Sequence, residues 1–217
     1  MIKDRIANIK NRIELACFKS KRDISKITLI AVSKNRAIDQ IQEVVDCAVI
    51  NLGENKVQEA LSKYKFIPTA RWHMIGHLQT NKVKRAVEIF EVIQSVDRLR
   101  LIEEINKQAE RINKIQDILI EVKTSPELSK SGLDISEAPR VIEVASKFKN
   151  IKINGLMTMA PYVDQKDQAR QYFRKLREIR DKINKDFILS MGMSDDFEVA
   201  IEEGSDMVRI GRTIFES

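Results

Sequence analysis

The sequence predicts an α/β fold: one barrel of eight parallel strands alternating with helices, with an extra helix at the N-terminus. Three observations carry this expectation. Short β-branched runs recur along the 217 residues, each followed by a charged stretch with apolar residues at helical spacing. There are eight such runs. Parallel strands need crossover connections, and eight strand–helix units suit a closed barrel better than an open sheet. Finally, no Gly-x-Gly-x-x-Gly turn follows any run, which weighs against the doubly wound alternative.

The first element is a helix over residues 4–20. Strands are expected at 27–33, 48–52, 71–75, 92–96, 117–122, 153–159, 188–191 and 207–210. Between them, residues 37–47 place Ile38, Ile41, Val44 and Val45 on one helical face. Helices over 55–65 and 80–90 follow, and 98–113 carries Leu99, Ile102, Ile105 and Ala109 at helical spacing. The helix over 136–148 opens on Ser136 as N-cap, with Pro139 early. A long helix spans 165–185, and a short one over 195–203 stops at Gly204. Together they describe a compact (β/α)8 barrel of the TIM type, a fold that runs from roughly 200 to 400 residues.

Composition supports one core. Hydrophobic residues make up 43% of the chain, and no Pro- or Gly-rich linker divides it, so 1–217 reads as a single domain. The two cysteines, Cys17 and Cys47, lack metal-ligand spacing and suit a reducing compartment. The start is charged and helical, and no apolar run nears the roughly 20 residues a bilayer span needs. A cytoplasmic protein without a membrane partner is expected. The net charge of +6 comes from 38 basic against 32 acidic residues that interleave along the helices. That pattern argues against a nucleic-acid partner and leaves a mild preference for small anionic ligands.

Barrel sites lie at the carboxyl ends of the strands. Strand one ends at Lys34, where an apolar run meets a polar loop. A partly desolvated lysine there favours the neutral amine that attacks a carbonyl; a plain solvated lysine is the competing reading. Barrels frequently bind phosphate on the loops after strands seven and eight. Here those loops carry Gly192, Ser194 and Gly211. Glycines admit close backbone approach and the hydroxyl adds a donor. Asp195 and Asp196 must then point away from the anion. In Met207-Val208-Arg209-Ile210-Gly211, alternation turns Arg209 into the barrel while Val208 and Ile210 face the helices. Glu121 and Lys123 share the inner face of strand five by the same parity. Arg209 either pairs with Glu121 or contacts a ligand. His73 and His77 lie on a strand and its loop with no third ligand evident, so pocket or structural roles suit them better than a metal.

These features resemble one family, and further segments extend the likeness from about Ile27 to Phe215. They are Ala31-Val32-Ser33-Lys34, Gly53-Glu54-Asn55-Lys56-Val57-Gln58-Glu59, Trp72-His73-Met74-Ile75-Gly76-His77-Leu78-Gln79-Thr80-Asn81-Lys82, Gly155-Leu156-Met157-Thr158, Leu189-Ser190-Met191-Gly192-Met193-Ser194-Asp195-Asp196-Phe197 and Val208-Arg209-Ile210-Gly211. In this order they resemble the YggS/PROSC family of pyridoxal-phosphate homeostasis proteins, which have the barrel fold of the alanine racemase N-terminal domain. The resemblance implies that Lys34 carries pyridoxal 5′-phosphate (PLP) as an internal aldimine and that Arg209 contacts the pyridine nitrogen. It also implies that Ser194, Gly211 and Arg212 hold the phosphate and that Asn55 lines the cofactor.

The chain departs from the family at Leu52, usually Phe, at Lys123, commonly Asn, and at Asp206, usually Thr. Arg212 replaces a small hydroxyl residue, and the chain stops at Glu216-Ser217, ahead of the usual Gly and basic tail. The function implied is buffering or delivery of PLP by a monomer, without turnover of its own, to PLP-dependent apo-enzymes. A PLP-dependent amino-acid racemase is the alternative, and it needs a tyrosine opposite Lys34, with Tyr162 the one to check. A cofactor-free Schiff-base aldolase is a further one.

Overall fold

The computed structural model describes residues 1–125 and 131–216. The barrel strands are β1 (Thr28–Val32), β2 (Asn51–Glu54), β3 (Arg71–Met74), β4 (Val92–Val96), β5 (Gln116–Lys123), β7 (Ile151–Met157), β8 (Ile188–Ser190) and β9 (Met207–Ile210). All pair in parallel in the order β4-β3-β2-β1-β9-β8-β7-β5, and β4 pairs with β5 to close the ring. A two-residue strand, β6 (Leu133–Asp134), extends the outer end of β5 through Val122–Leu133 and Lys123–Asp134.

The crossover helices are α2 (Ile38–Asp46), α3 (Val57–Lys63), α4 (Val83–Ile89), α5 (Leu99–Glu110), α6 (Ala138–Ala145), α7 (Arg170–Ile183) and α8 (Phe197–Glu202). The expected N-terminal helix is α1 (Ile2–Ser20), and a short α9 (Arg212–Phe215) follows β9. α1 lies across the seam where the ring joins its first and last strands, packing on α2, α8 and α9. Its buried stripe is Ile2, Ile6, Ile9, Ile13, Ala16 and Cys17. No helix among the described residues is long and apolar enough to cross a membrane.

Alternation along the strands sorts the core into two parts. Leu52, Trp72, Ile93, Ile118, Ile120, Val122, Val208 and Ile210 pack outward in the layer beneath the helices. Ile30, Ile75, Leu119 and Met157 are buried apart from that layer, inside the ring. They share the lumen with polar groups, among them His73, Gln94, Glu121, Ser190 and Arg209, all nearly inaccessible.

Boundaries differ from expectation where turn residues misled the reading. Strand two starts three residues later than predicted. Ala48 adopts φ 61°, and Val49 N–H still bonds to Val44 at the end of α2, so the β-branched-looking stretch belongs to the helix stop. The sixth barrel strand begins at Ile151, not at residue 153. Ser136 does not cap α6; the N-cap is Glu137, with Pro139 in the first turn as expected. The predicted long helix over 165–185 opens as a 3-10 turn, Lys166–Ala169, before α7 begins.

Candidate functional site

All eight strands run the same way, so their carboxyl ends form one mouth, and the predicted residues gather there. Val32 is in register with Gly53 and Ile30 with Arg209. β1 therefore sits between the strand leading to Asn55 and the strand carrying Arg209. Parity along β1 puts Ile30, Val32 and Lys34 on the lumen side, with Lys34 just past the strand. Its side chain is exposed rather than partly desolvated, because β1 ends at Val32, before it.

The backbone around Lys34 is held from outside the ring. Ser33 is buried and donates from Oγ to Glu54 Oε1 at 2.7 Å. Lys63 Nζ reaches the Ser33 carbonyl at 2.7 Å, Glu54 Oε1 at 2.8 Å and Glu59 Oε1 at 2.7 Å. Glu59 in turn accepts from the Asn35 N–H. Both residues flanking Lys34 are thus tied to α3 by one ionic cluster. Burial pushes the Glu54 carboxyl above its ordinary value, against the opposing pull of Lys63 and Ser33. Its Oε2 has no hydrogen-bond partner among the described residues.

Asn55 is half-buried and lines a cavity of about 400 Å³ with Gly76, His77 and Lys82. A Cβ at Gly76 would come within 2.5 Å of the Asn55 carbonyl oxygen, so only glycine lets β3 pass this close beneath Asn55.

The loops after β8 and β9 meet as predicted. Gly192 has φ 94°, and a Cβ there would lie 2.5 Å from Ala200 Cβ. This tight turn delivers Ser194, buried, whose Oγ stands 3.5 Å from the Thr213 N–H in the first turn of α9. Gly211 precedes that helix and packs against Val32. Both carboxylates are engaged by neighbouring groups. Asp196 turns inward to accept from the Met193 N–H at 2.6 Å, and Asp195 pairs with Arg212 on the surface. Arg212 is exposed and lines a second cavity, about 480 Å³, with Tyr162, Lys166, Met193 and Asp195.

Arg209 points into the lumen, 3% exposed. Its Nη1 donates to Ser190 Oγ at 2.6 Å and its Nη2 to the Thr158 carbonyl at 2.8 Å. No ion pair within 4 Å joins it to Glu121, so the structural pair weighed from the sequence is not made. The two still feel each other. Burial lowers the Arg209 guanidinium to about 10, partly offset by Glu121 and Asp196, and it stays charged at neutral pH. Burial and the charge of Asp97 raise the Glu121 carboxyl to about 7, against Arg209.

His73 lies within the lumen, bonded to Asn51 and Gln94, and burial together with the Arg71 charge lowers it to about 4. His77 is half-exposed beside Asp97. Among the described residues no group of three or more His, Cys, Asp or Glu side chains is gathered to hold a metal. Sequence reasoning missed Ser190, Gln94 and Lys63. For Ser190 and Gln94 the available signal was a polar residue at an inner-face position of a strand, as in Val92-Ile93-Gln94.

A family model described as alanine racemase, N-terminal domain, matches residues 7–217. A pyridoxal phosphate homeostasis protein of Aquifex aeolicus is 41% identical, covering 98% of this chain and 96% of the relative. The chain belongs to this family. The family's Escherichia coli K12 protein is 34% identical over 99% of the chain and 95% of its own length. Among solved structures, PipY of Synechococcus elongatus PCC7942 with PLP bound superposes with a TM-score of 0.86 at 30% identity. That match covers 99% of this chain and 100% of PipY. Membership in the pyridoxal phosphate homeostasis proteins accounts for a barrel whose mouth gathers a lysine, a buried arginine and two glycine-bearing loops.

Proposed function

We propose that this protein binds pyridoxal 5′-phosphate, holds it covalently on Lys34, and buffers or delivers it without turnover of its own. The observation that carries the reading is Arg209: a charged, buried guanidinium set beneath the mouth and held by neutral partners instead of a carboxylate. The donor set fits the cofactor. Lys34 offers an exposed amine, Ser194, Gly211 and Arg212 surround a place for the phosphate, and Asn55 borders the ring from β2. When bound, the cofactor supplies an aldehyde, with which the Lys34 amine condenses with loss of water, and an electron-withdrawing ring. Arg209 opposes protonation of the pyridine nitrogen, which weakens that ring as an electron sink and suits storage over carbanion chemistry.

The backbone N–H groups at Gly211 and Arg212 would bind phosphate oxygens, and the Arg212 guanidinium, paired with Asp195, stands where the family usually has a hydroxyl. A racemase would need a tyrosine held opposite Lys34. Tyr64 and Tyr172 pack against the helical layer, and Tyr162 is 85% exposed. The names of the relatives likewise favour homeostasis. The protein acts as a cytoplasmic monomer and single domain, and its acceptors are PLP-dependent apo-enzymes.

Borohydride treatment of the yellow, loaded protein should fix the cofactor to a peptide containing Lys34. A Lys34→Ala protein that still yields the same borohydride-stable adduct overturns the assignment. Racemisation of free amino acids by the loaded wild type would overturn the storage role alone.

A further inference from the structure

A line of hydrogen-bonded side chains crosses the inside of the barrel, and the cofactor chemistry above uses only its last member. Arg209 Nη1 is 2.6 Å from Ser190 Oγ, which is 2.6 Å from Gln94 Oε1. Gln94 Nε2 is 3.0 Å from His73 Nδ1, and His73 Nε2 is 3.1 Å from Asn51 Oδ1. Ser190 and Gln94 are fully buried, and His73 is 3% exposed. The five residues stand on β9, β8, β4, β3 and β2, and the Gln94–Ser190 bond spans the lumen between strands that are not neighbours.

The direction of every bond follows from one end. A guanidinium only donates, so Ser190 Oγ accepts from Arg209. The single hydroxyl proton of Ser190 then goes to the Gln94 oxygen. This turns the Gln94 amide nitrogen toward His73, whose Nδ1 must accept. The imidazole proton therefore sits on Nε2 and is donated to Asn51. A reversed Gln94 would leave the Ser190 hydroxyl proton without its acceptor in a buried place, a costly arrangement.

We propose that Ser190, Gln94 and His73 are positioning residues for Arg209: a one-way hydrogen-bond relay from the opposite mouth that fixes how the guanidinium meets the cofactor ring. The role rests on the assignment of Arg209 to that ring. With Nη1 committed to Ser190 and Nη2 to the Thr158 carbonyl, the plane of the guanidinium is set before any ligand arrives, so less order has to be gained on binding.

The chain has two histidines, which makes nitrogen-15 NMR of the imidazoles a direct test. In the ligand-free wild type near neutral pH, His73 should be the Nε2–H tautomer. In Ser190→Ala, Gln94 is freed to reverse and His73 should become a mixture of tautomers. Loaded with PLP, Ser190→Ala and Gln94→Leu should bind it roughly tenfold more weakly, with a displaced visible absorption band, and Ser190→Thr should restore both. A wild type with His73 as the Nδ1–H tautomer overturns the relay, as does a Ser190→Ala protein with unchanged tautomer and unchanged band. A wild type that shows the expected tautomer but takes up no PLP sinks the cofactor reading, and with it the role given to the relay.

Discussion

Glu121 shows how a buried carboxyl with a distant partner behaves. Folding raises it from 4.5 to about 7, so between those values the folded state holds a proton that the unfolded state releases. The sign is fixed by this difference: the contribution is fully present below pH 4.5 and is lost as pH rises through about 7. The shift corresponds to about 3 kcal/mol. Glu121→Gln keeps the shape and removes the ionisation. In the ligand-free protein its stability relative to wild type should therefore climb by about that amount between pH 4.5 and 7. Urea unfolding at pH 5 and pH 8 measures it, and a pH-independent difference would show that Glu121 titrates normally. His73 runs the other way, since a folded value near 4 means that the unfolded state takes the proton first as pH falls below 6.5. Wild-type stability is therefore squeezed from both sides, and the Glu121 variant isolates one of them.

At the scale of elements, α3 does more than connect two strands, because its last residue secures the loop that carries Lys34. Removing the Lys63 ammonium leaves Glu54 buried without its cation, which costs about 3–5 kcal/mol. Lys63→Met should therefore be strongly destabilised, and adding Glu54→Gln should recover much of the loss. A double-mutant cycle on thermal or chemical unfolding reads this, and strict additivity would show that the two are not coupled. Neither role was legible in Gly53-Glu54-Asn55 or in the helix after it. Parity gave the faces of β5 and β9 correctly because β-branched neighbours marked the outward side, so Arg209 and Glu121 could be turned inward from sequence. Strand β2 resisted the same treatment. Its four residues, Asn51 to Glu54, look like a turn, since the inner positions hold a small residue and an amide and the outer Glu54 is an ion-pair partner. That the loops carrying Gly192, Ser194 and Gly211 meet could be anticipated because loop composition there is local. The relay could not, because Ser190 meets Gln94 across a sequence separation of 96.

The whole molecule divides its labour between the two ends of the ring. The candidate site lies at the carboxyl ends, and the amino ends carry ties that concern stability. Arg22 is one of these: its Nη2 pairs with Asp206 at 2.6 Å and its Nη1 caps carbonyls of Ile201 and Ser205. Asp206 also accepts from the Leu189 N–H at 2.8 Å, which gives the aspartate at this family-atypical position a structural purpose. Arg22→Met should lower stability by about 2 kcal/mol while leaving PLP affinity unchanged, as measured by unfolding and by titration with PLP. A large loss of affinity would contradict the separation.

The placement of α1 also sets an order of events. Its apolar stripe rests on α2, which lies nearby in the chain, but also on α8 and α9, which leave a ribosome much later. This helix thus waits with Ile6, Ile9 and Ile13 uncovered until residues 197–215 exist, so it docks late and over a long loop closure. During that interval the nascent chain carries an exposed hydrophobic surface, the kind that chaperones engage and that aggregates when they do not.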